Sequence, residues 1–425
     1  MRLLYICLFL IAGLTTQLGF GQNAYSIQGI TIPEGISLEV GGMDLFDDGR
    51  LAVSTRRGEV WTIRDPYLDN PSRQDFVRFA RGLHEPLGLA VNQNEIYLTQ
   101  RGELTHLKDE DGDGKADVYE TVVNWPLSGN YHDYSYGPKF LPNGNMLITL
   151  NLSWVGRGAS LVKWRGWMMQ ISPEGELVPM ATGMRSPAGF NVNAKGDVFY
   201  ADNQGDWVGS GRITHVESGD FVGHPDGLKW AENTPVKVSR MAITDSLGGL
   251  FQAGQNIKGV KAPAVWFPHG IMGISTSDIL QDNSEGKFGP FSGQYFVGDQ
   301  GQSKVMRMFL EKVDGVYQGA CFPFMDGFSS GVLRLLWGKD GTMFVGMTNR
   351  GWSSTGKAPF GIQRLVWNGQ TPFEIKAIRA TSDGFELEMT KPVRRKNRRE
   401  PWQLPGSGFY LQIPSQLRKS HSGCQ

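Results

Sequence analysis

The chain has 425 residues, with 42 lysines and arginines against 42 aspartates and glutamates, 56 glycines and 11% aromatic residues. This formal neutrality gives no electrostatic case for nucleic acid or an anionic membrane as partner. Abundant glycine and aromatics suit many short strands joined by tight turns, and helical periodicity is weak throughout.

The first element is a signal peptide at residues 1–21. Arg2 supplies its positive end, Leu3–Leu14 its apolar stretch and Thr15–Gly21 its small and polar exit. The stretch is shorter than the ~20 apolar residues of a membrane span. No later segment qualifies either, so the expectation is a secreted or periplasmic protein. Cys7 leaves with this peptide, Cys321 is expected as a buried free thiol, and Cys424 falls in the tail. The chain has no Cys-x-x-Cys-His, so no covalent haem is expected.

Over residues 22–370 one phrase recurs, an apolar run ending in a polar turn before a second strand. It opens with Leu51–Gly58, whose turn carries Arg57, and returns as Ile96–Gly102 with Arg101 in the turn. Just before the second copy lies the loop His84–Gly88. After it, Asp109, Asp111, Asp113, Lys115, Asp117 and Glu120 take the ligand positions of a twelve-residue calcium loop, with Gly114 at the sharp turn. The flanks Leu104–Leu107 and Val118–Val123 read as strands, so a structural Ca2+ clamping a hairpin is expected rather than a regulatory helix pair.

The third copy, Met146–Trp154, follows the loop His132–Gly137, and the fourth, Val198–Gly205 with Gln204 in its turn, follows Arg185–Gly189. A double gap then holds an insertion, Gly227–Ala264. The fifth copy, Tyr295–Gly301, includes Asp299 and follows Pro268–Gly273 with His269; the sixth, Met343–Gly351, includes Arg350. Turns such as Asp48-Gly49, Asn143-Gly144, Lys195-Gly196 and Asp340-Gly341 precede most copies and favour hairpins. A spacing of about 50 residues fits a four-stranded blade. The expected fold is therefore all-β, a six-bladed β-propeller with a short C-terminal β extension.

In such a fold the loop entering each inner strand and the turn after each second strand share one end of the disc. Both polar sets should meet at one mouth of the channel. A neutral imidazole among His84, His132 and His269 could take a proton from a sugar hydroxyl. Arg57, Arg101, Arg185, Arg334 and Arg350 would line the mouth with cations suited to carboxylates. Trp154, Trp207 and Trp352 at the rim stack on sugar faces or pack blades together. Asp299, His84, His269 and Trp207 are taken as substrate-facing.

Three stretches carry a family resemblance: His132-Asp-Tyr-Ser-Tyr-Gly-Pro-Lys-Phe-Leu-Pro-Asn-Gly-Asn, Gly183-Met-Arg-Ser-Pro-Ala-Gly-Phe, and Asp202-Asn-Gln-Gly with Thr214–Pro225. Over roughly residues 30–370 the chain resembles the glucose/sorbosone dehydrogenase-like propellers, the soluble quinoproteins. Gly346–Gly356 is similar to an exported sorbosone-dehydrogenase-like subgroup. The resemblance implies pyrroloquinoline quinone as cofactor, His132 as the base that takes the hydroxyl proton, and Arg185 on the quinone. Arg57, Arg101, Gln204, Lys304 and Arg350 complete the implied cofactor set. Family contacts are replaced at Ser186, Ala188, Gly301, Gln302, Gly331 and Leu333, and Arg334 stands out of phase.

Residues 371–393 read as the start of a C-terminal β module, with strands at Phe373–Thr381 and Gly384–Thr390. From Arg394 the composition turns basic and alternation stops. Residues 394–425 read as a frameshifted or truncated β-sandwich in preference to a solvated tail. The function expected is an exported sugar or polyol dehydrogenase-like propeller oxidising a carbohydrate hydroxyl or aldehyde. A small carbohydrate and an external electron acceptor, such as a c-type cytochrome, would be its partners. Two alternatives stand beside it. One is a non-catalytic carbohydrate-binding propeller. The other is a calcium-dependent lactonase, with Asp202, Asn203, Asp299 and Asn349 as axial ligands.

Overall fold

A computed structural model describes residues 24–238, 250–392 and 410–411. The signal peptide, Cys424 and all but two residues of the basic tail lie outside the described residues. The rest is a six-bladed β-propeller. Blade 1 comprises Val40–Leu45, Leu51–Thr55, Glu59–Ile63 and Phe76–Arg81. Blade 2 comprises Leu89–Asn92, Glu95–Thr99, Glu103–Lys108 and Val118–Asn124. Blade 3 comprises Ser135–Phe140, Met146–Leu150, Trp167–Ile171 and Leu177–Thr182. Blade 4 comprises Gly189–Val192, Val198–Asp202, Gly211–Val216 and Val265–Phe267. Blade 5 comprises Thr276–Gln281, Tyr295–Asp299, Lys304–Val313 and Val316–Asp326, with Tyr410–Leu411 alongside its outer strand. Blade 6 comprises Val332–Trp337, Met343–Thr348 and Phe360–Trp367.

The ring is closed by the N-terminal strand Tyr25–Gly29, which pairs antiparallel with Phe360–Trp367 as the fourth strand of blade 6. The Tyr25 hydroxyl donates to the Phe288 carbonyl at 2.8 Å, tying this strand to blade 5. Every repeated phrase is the second strand of a blade. Blade 2 lacks a glycine at its first turn, and there Gln93 and Asn94 take positive φ (54° and 62°), as a two-residue hairpin turn requires.

The core is divided into six layers between neighbouring blades. Phe46, Val60, Phe79, Leu89 and Leu98, for example, join blades 1 and 2, whereas Phe199, Ile213, Ile279 and Met306 join blades 4 and 5. At the axis the inner strands come so close that a Cβ at Gly88 would lie 1.8 Å from the Gly137 carbonyl oxygen. Several glycines of the inner-strand loops therefore serve packing between blades.

The double gap is an insertion between the third and fourth strands of blade 4, with a 3₁₀ segment at Pro225–Asn233 and a helix at Leu250–Asn256. Phe221 bridges Thr182 of blade 3 and Val260 of the insertion, which packs with Trp164 and Trp167. Beside this stitch, Asp220 accepts from the Glu217 amide at 2.7 Å and faces Lys261 at 3.5 Å. Burial raises its pKa to about 6, with Glu217 N–H and Lys261 opposing. The folded form thus holds the proton more tightly than the unfolded chain does. Stability from this group is expected to fall as pH rises from about 4 to about 6. Melting curves across that window check it: Asp220→Asn should flatten the slope, and an unchanged slope would contradict the assignment.

Beyond blade 6, Ile375–Thr381 and Gly384–Met389 form a hairpin against blade 5. Buried Arg307 fixes it by donating to the carbonyls of Ile375 (2.6 Å) and Lys376 (3.0 Å), with Phe291 and Phe322 on its guanidinium. Cys321 is buried and not in a disulfide. Among the described residues no helix is long and apolar enough to cross a membrane.

Candidate functional site

Loops from all around the ring meet at the mouth where the second strands end. Each second strand is followed there by a polar turn, so the repeat itself delivers arginines to one place. Two carboxylates organise them. Glu85 Oε1 accepts from Arg56 Nε and Nη2 at 3.0 and 2.6 Å, while its Oε2 lies 3.4 Å from Arg101 Nε. Glu39 Oε1 accepts from Arg57 (Nε 3.0 Å, Nη2 2.9 Å), and its Oε2 accepts from Arg350 Nη1 at 3.4 Å. The Tyr134 ring lies under both Arg56 and Arg101, at 4.9 and 5.0 Å. The Arg101 carbonyl is held by Trp125 Nε1 (2.8 Å), Ser135 Oγ (2.8 Å) and Arg165 Nη2 (3.1 Å).

His132 sits half-buried beside this cluster. Its Nδ1 lies 2.9 Å from the Leu152 carbonyl, which can only accept, so Nδ1 carries the proton. Neutral His132 therefore presents Nε2 as a bare lone pair, with no protein partner among the described residues. Tyr134, Trp154 and Tyr131 surround the ring at 5.1, 5.4 and 6.0 Å between centroids. Burial lowers its pKa, the Leu152 carbonyl opposes this, and Arg185 and Arg101 lower it further. Arg185 lies over Trp154 at 4.6 Å and donates to Asn203 Oδ1 and the Gln204 carbonyl, both at 3.2 Å. Gln204 thus reaches the site through its main chain.

Other expected residues are placed differently. Asp299 is fully buried, and its carboxylate accepts from the amides of Ile274 (2.9 Å), Ser275 (2.7 Å) and Gln302 (2.7 Å). That carboxylate shapes a blade 5 turn, with both oxygens engaged by the main chain. Lys304 donates to the Ile271 carbonyl at 3.0 Å, across the same loops. Trp207 neighbours Arg157 and His224, at 5.4 and 6.3 Å to its ring. His84 and His269 are exposed on their loops.

Arg334 is the largest displacement from expectation. A register shift between Val332 and Arg334 turns its side chain into the channel. There it donates to the carbonyls of Gly41 (2.8 Å), Ala188 (2.8 Å) and Leu87, in blades 1, 4 and 2. It closes the axis and does not line the mouth.

The lactonase arrangement loses its ligands for the same kind of reason. Asp202 accepts from the Arg185 and Ser186 amides (3.0 Å each) and from Arg212 (2.9 Å). Asn349 donates to the Gly356 and Ala358 carbonyls. Among the described residues, the acid cluster with metal-like spacing lies instead in the blade 2 hairpin. There carboxylate oxygens of Asp109, Asp111 and Asp117 fall within 4.8 Å of one another. Asp109 also accepts from Gly112 N (2.8 Å) and Gly114 N (2.9 Å), which shapes the loop. Asp113 turns to Lys115 at 2.6 Å, and Glu120 turns along its strand to Lys108 and His106 (3.3 and 3.5 Å). The flanks are strands, so the chain departs from the helix-flanked geometry that brings the twelfth ligand back.

Sequence reasoning missed Glu39, Arg56, Glu85 and Tyr134. A signal existed in the doublet Arg56-Arg57 and in Glu85 beside His84, but neither identifies a partner in another blade.

Residues 52–241 match a family described as a domain of unknown function, DUF7133. No curated protein matches the chain. Among solved structures, a putative oxidoreductase (glucose dehydrogenase) of Thermus thermophilus is similar, with TM-score 0.57, 18% identity, and coverage of 80% of this chain and 100% of that one. The PQQ-bound aldose sugar dehydrogenase of Streptomyces coelicolor gives 0.56 at 14% identity, covering 80% and 98%. A calcium structure of a Trichoderma reesei carbohydrate-active enzyme of family AA12 gives 0.56 at 13%, covering 82% and 96%. The chain thus has the six-bladed propeller fold of the soluble aldose sugar and glucose dehydrogenases.

Proposed function

We propose that this chain is an exported dehydrogenase-type propeller that oxidises a carbohydrate hydroxyl or aldehyde, with His132 as general base. The observation that carries the reading is the fixed tautomer of His132, whose unprotonated Nε2 sits beside a cationic mouth. A base in that state can accept a hydroxyl proton at neutral pH. Its charge after accepting the proton is opposed by Arg185 and Arg101, so release to solvent is favoured.

Pyrroloquinoline quinone, which carries several carboxylates, fits the donor set. Arg185 Nε is buried without a hydrogen-bond acceptor in the protein, and Arg101 Nε has only the ion pair with Glu85 Oε2 at 3.4 Å. Four guanidiniums, Arg56, Arg57, Arg101 and Arg350, share Glu39 and Glu85, while Arg185 donates to Asn203 and Gln204 near Asp202 and Asp206. Arg56, Arg101 and Arg185, the inner three, would hold the group, and Gln204 would contribute its main chain. When bound, the quinone supplies the hydride acceptor. The chain's own residues bind it, orient the sugar and hold the proton on His132 Nε2. An external acceptor, such as a c-type cytochrome, would then take the electrons.

A dye-linked oxidation assay with and without added quinone, on aldoses, keto-sugars and polyols, tests this. Quinone-dependent turnover supports the reading. If turnover is absent and quinone absorbance does not change on mixing, the chain is a carbohydrate-binding propeller. Exposed Tyr131, Trp154 and Trp352 (60%, 45% and 54%) favour that second reading.

The Asp109–Asp117 hairpin is proposed to hold a structural Ca2+ through Asp109, Asp111 and Asp117. Calcium at about 100 times its dissociation constant should add about 2.7 kcal/mol of stability, read as a rise in melting temperature. Asp111→Ala should abolish the rise. Identical melting with chelator and with calcium would remove the site.

A further inference from the structure

We infer that the sugar taken at this mouth is an acidic one, a uronic acid, whose carboxylate is held by Arg57 and Arg350. The inference rests on reading the mouth as a carbohydrate site and goes further by fixing the charge of the substrate.

The mouth is rich in guanidinium donors. A neutral sugar offers hydroxyls that both donate and accept, and the sites that take it need both kinds of partner. Several carboxylates near the mouth are already engaged. Asp202 is bound by Arg212 and two amides, Asp299 by three amides, and Glu85 by Arg56 and Arg101. Beside the acceptor His132 Nε2 stand guanidiniums, which only donate. At the outer edge Arg57 and Arg350 share the single carboxylate of Glu39, so this pair keeps an excess of positive charge.

The outer pair is set apart from the inner three. The side chains of Arg57 and Arg350 are 52% and 48% exposed, whereas those of Arg56 and Arg101 are 5% and 14% exposed. Glu39, 8% exposed beneath the outer pair, already gives one oxygen to each arginine. The pair is therefore spaced to bracket the two oxygens of one carboxylate. Arg57 Nη1 and Arg350 Nε and Nη2 have no protein partner among the described residues, so a second carboxylate can meet them from solvent. The position is pre-set on the blade 6 side. The Arg350 carbonyl accepts from Arg56 Nη1 and Gln300 Nε2, and its amide donates to Thr348 Oγ1 at 3.1 Å. Two residues on, exposed Trp352 offers an apolar face for a pyranose ring.

The test measures binding directly by calorimetry, with sodium galacturonate, galactose and galactose 6-sulfate as probes. Wild type is compared with the double variant Arg57→Gln, Arg350→Gln, after circular dichroism confirms that the variant is folded. Galacturonate should bind about tenfold more tightly than galactose. The preference should collapse in the variant and at about 0.5 M salt, where exposed charges are screened. Equal affinity for galacturonate and galactose, or a preference retained by the variant, overturns the inference. Tighter binding of the 6-sulfate than of galacturonate overturns the assignment of a carboxylate. Galacturonate bound selectively but never oxidised sinks the dehydrogenase reading and leaves this one standing; neutral aldoses oxidised without any uronate preference do the reverse.

Discussion

His132→Gln is expected to lower sugar oxidation by about 10²–10⁴-fold, the usual worth of a positioned general base, with the melting temperature nearly unchanged. Glutamine can still donate toward the Leu152 carbonyl but offers no basic nitrogen. The pH profile gives an independent check. Burial, Arg185 and Arg101 hold the imidazole below its ordinary value of about 6.5. The active form is the unprotonated one, so activity should persist below that pH and fail only further into acid. Arg185→Gln removes one opposing cation and should move the acid limb to higher pH. A wild-type limb above 6.5, or a variant limb displaced toward acid, would show that another group controls the rate.

Arg334→Met is expected to cost about 3–5 kcal/mol of stability, measured as a large drop in melting temperature. A buried charge can often be exchanged for an apolar group at little cost when its partner is exchanged too. Here the partners are the main-chain carbonyls of Gly41, Leu87 and Ala188, which no substitution at 334 can remove. Three acceptors pointing at the axis would lose their donor at once. A melting temperature within a degree or two of wild type would mean that water replaces the guanidinium in the channel. Lysine at 334 should recover only part of the loss, because one ammonium cannot reach carbonyls from three blades with a planar fork's geometry.

The number of blades, the insertion in place of a seventh and the end of the disc that carries the mouth were all legible in the sequence. Each is a local property. Alternating apolar residues make a strand, glycine or asparagine in the turn makes the hairpin, and repeating the unit fixes which loops share an end. The placement of His132, Arg101 and Arg185 at one end of the disc was legible for the same reason, since each occupies a fixed phase of the repeat. So was the acidic hairpin Asp109–Asp117, whose spacing is local.

What the sequence could not settle was the use made of each polar side chain once the ring closes. Arg56 and Arg57 are adjacent, yet one is buried on Glu85 and the other half-exposed on Glu39. Asp299 has the look of a ligand in its turn, but three amides folding back over it consume the carboxylate. Arg334 stands out of phase until the irregularity after Val332 rotates it onto the axis, where it meets Gly41 from 293 residues away. Strands follow from near neighbours in the chain. Partners for buried charge come from other blades, and only tertiary closure brings those blades within hydrogen-bond reach.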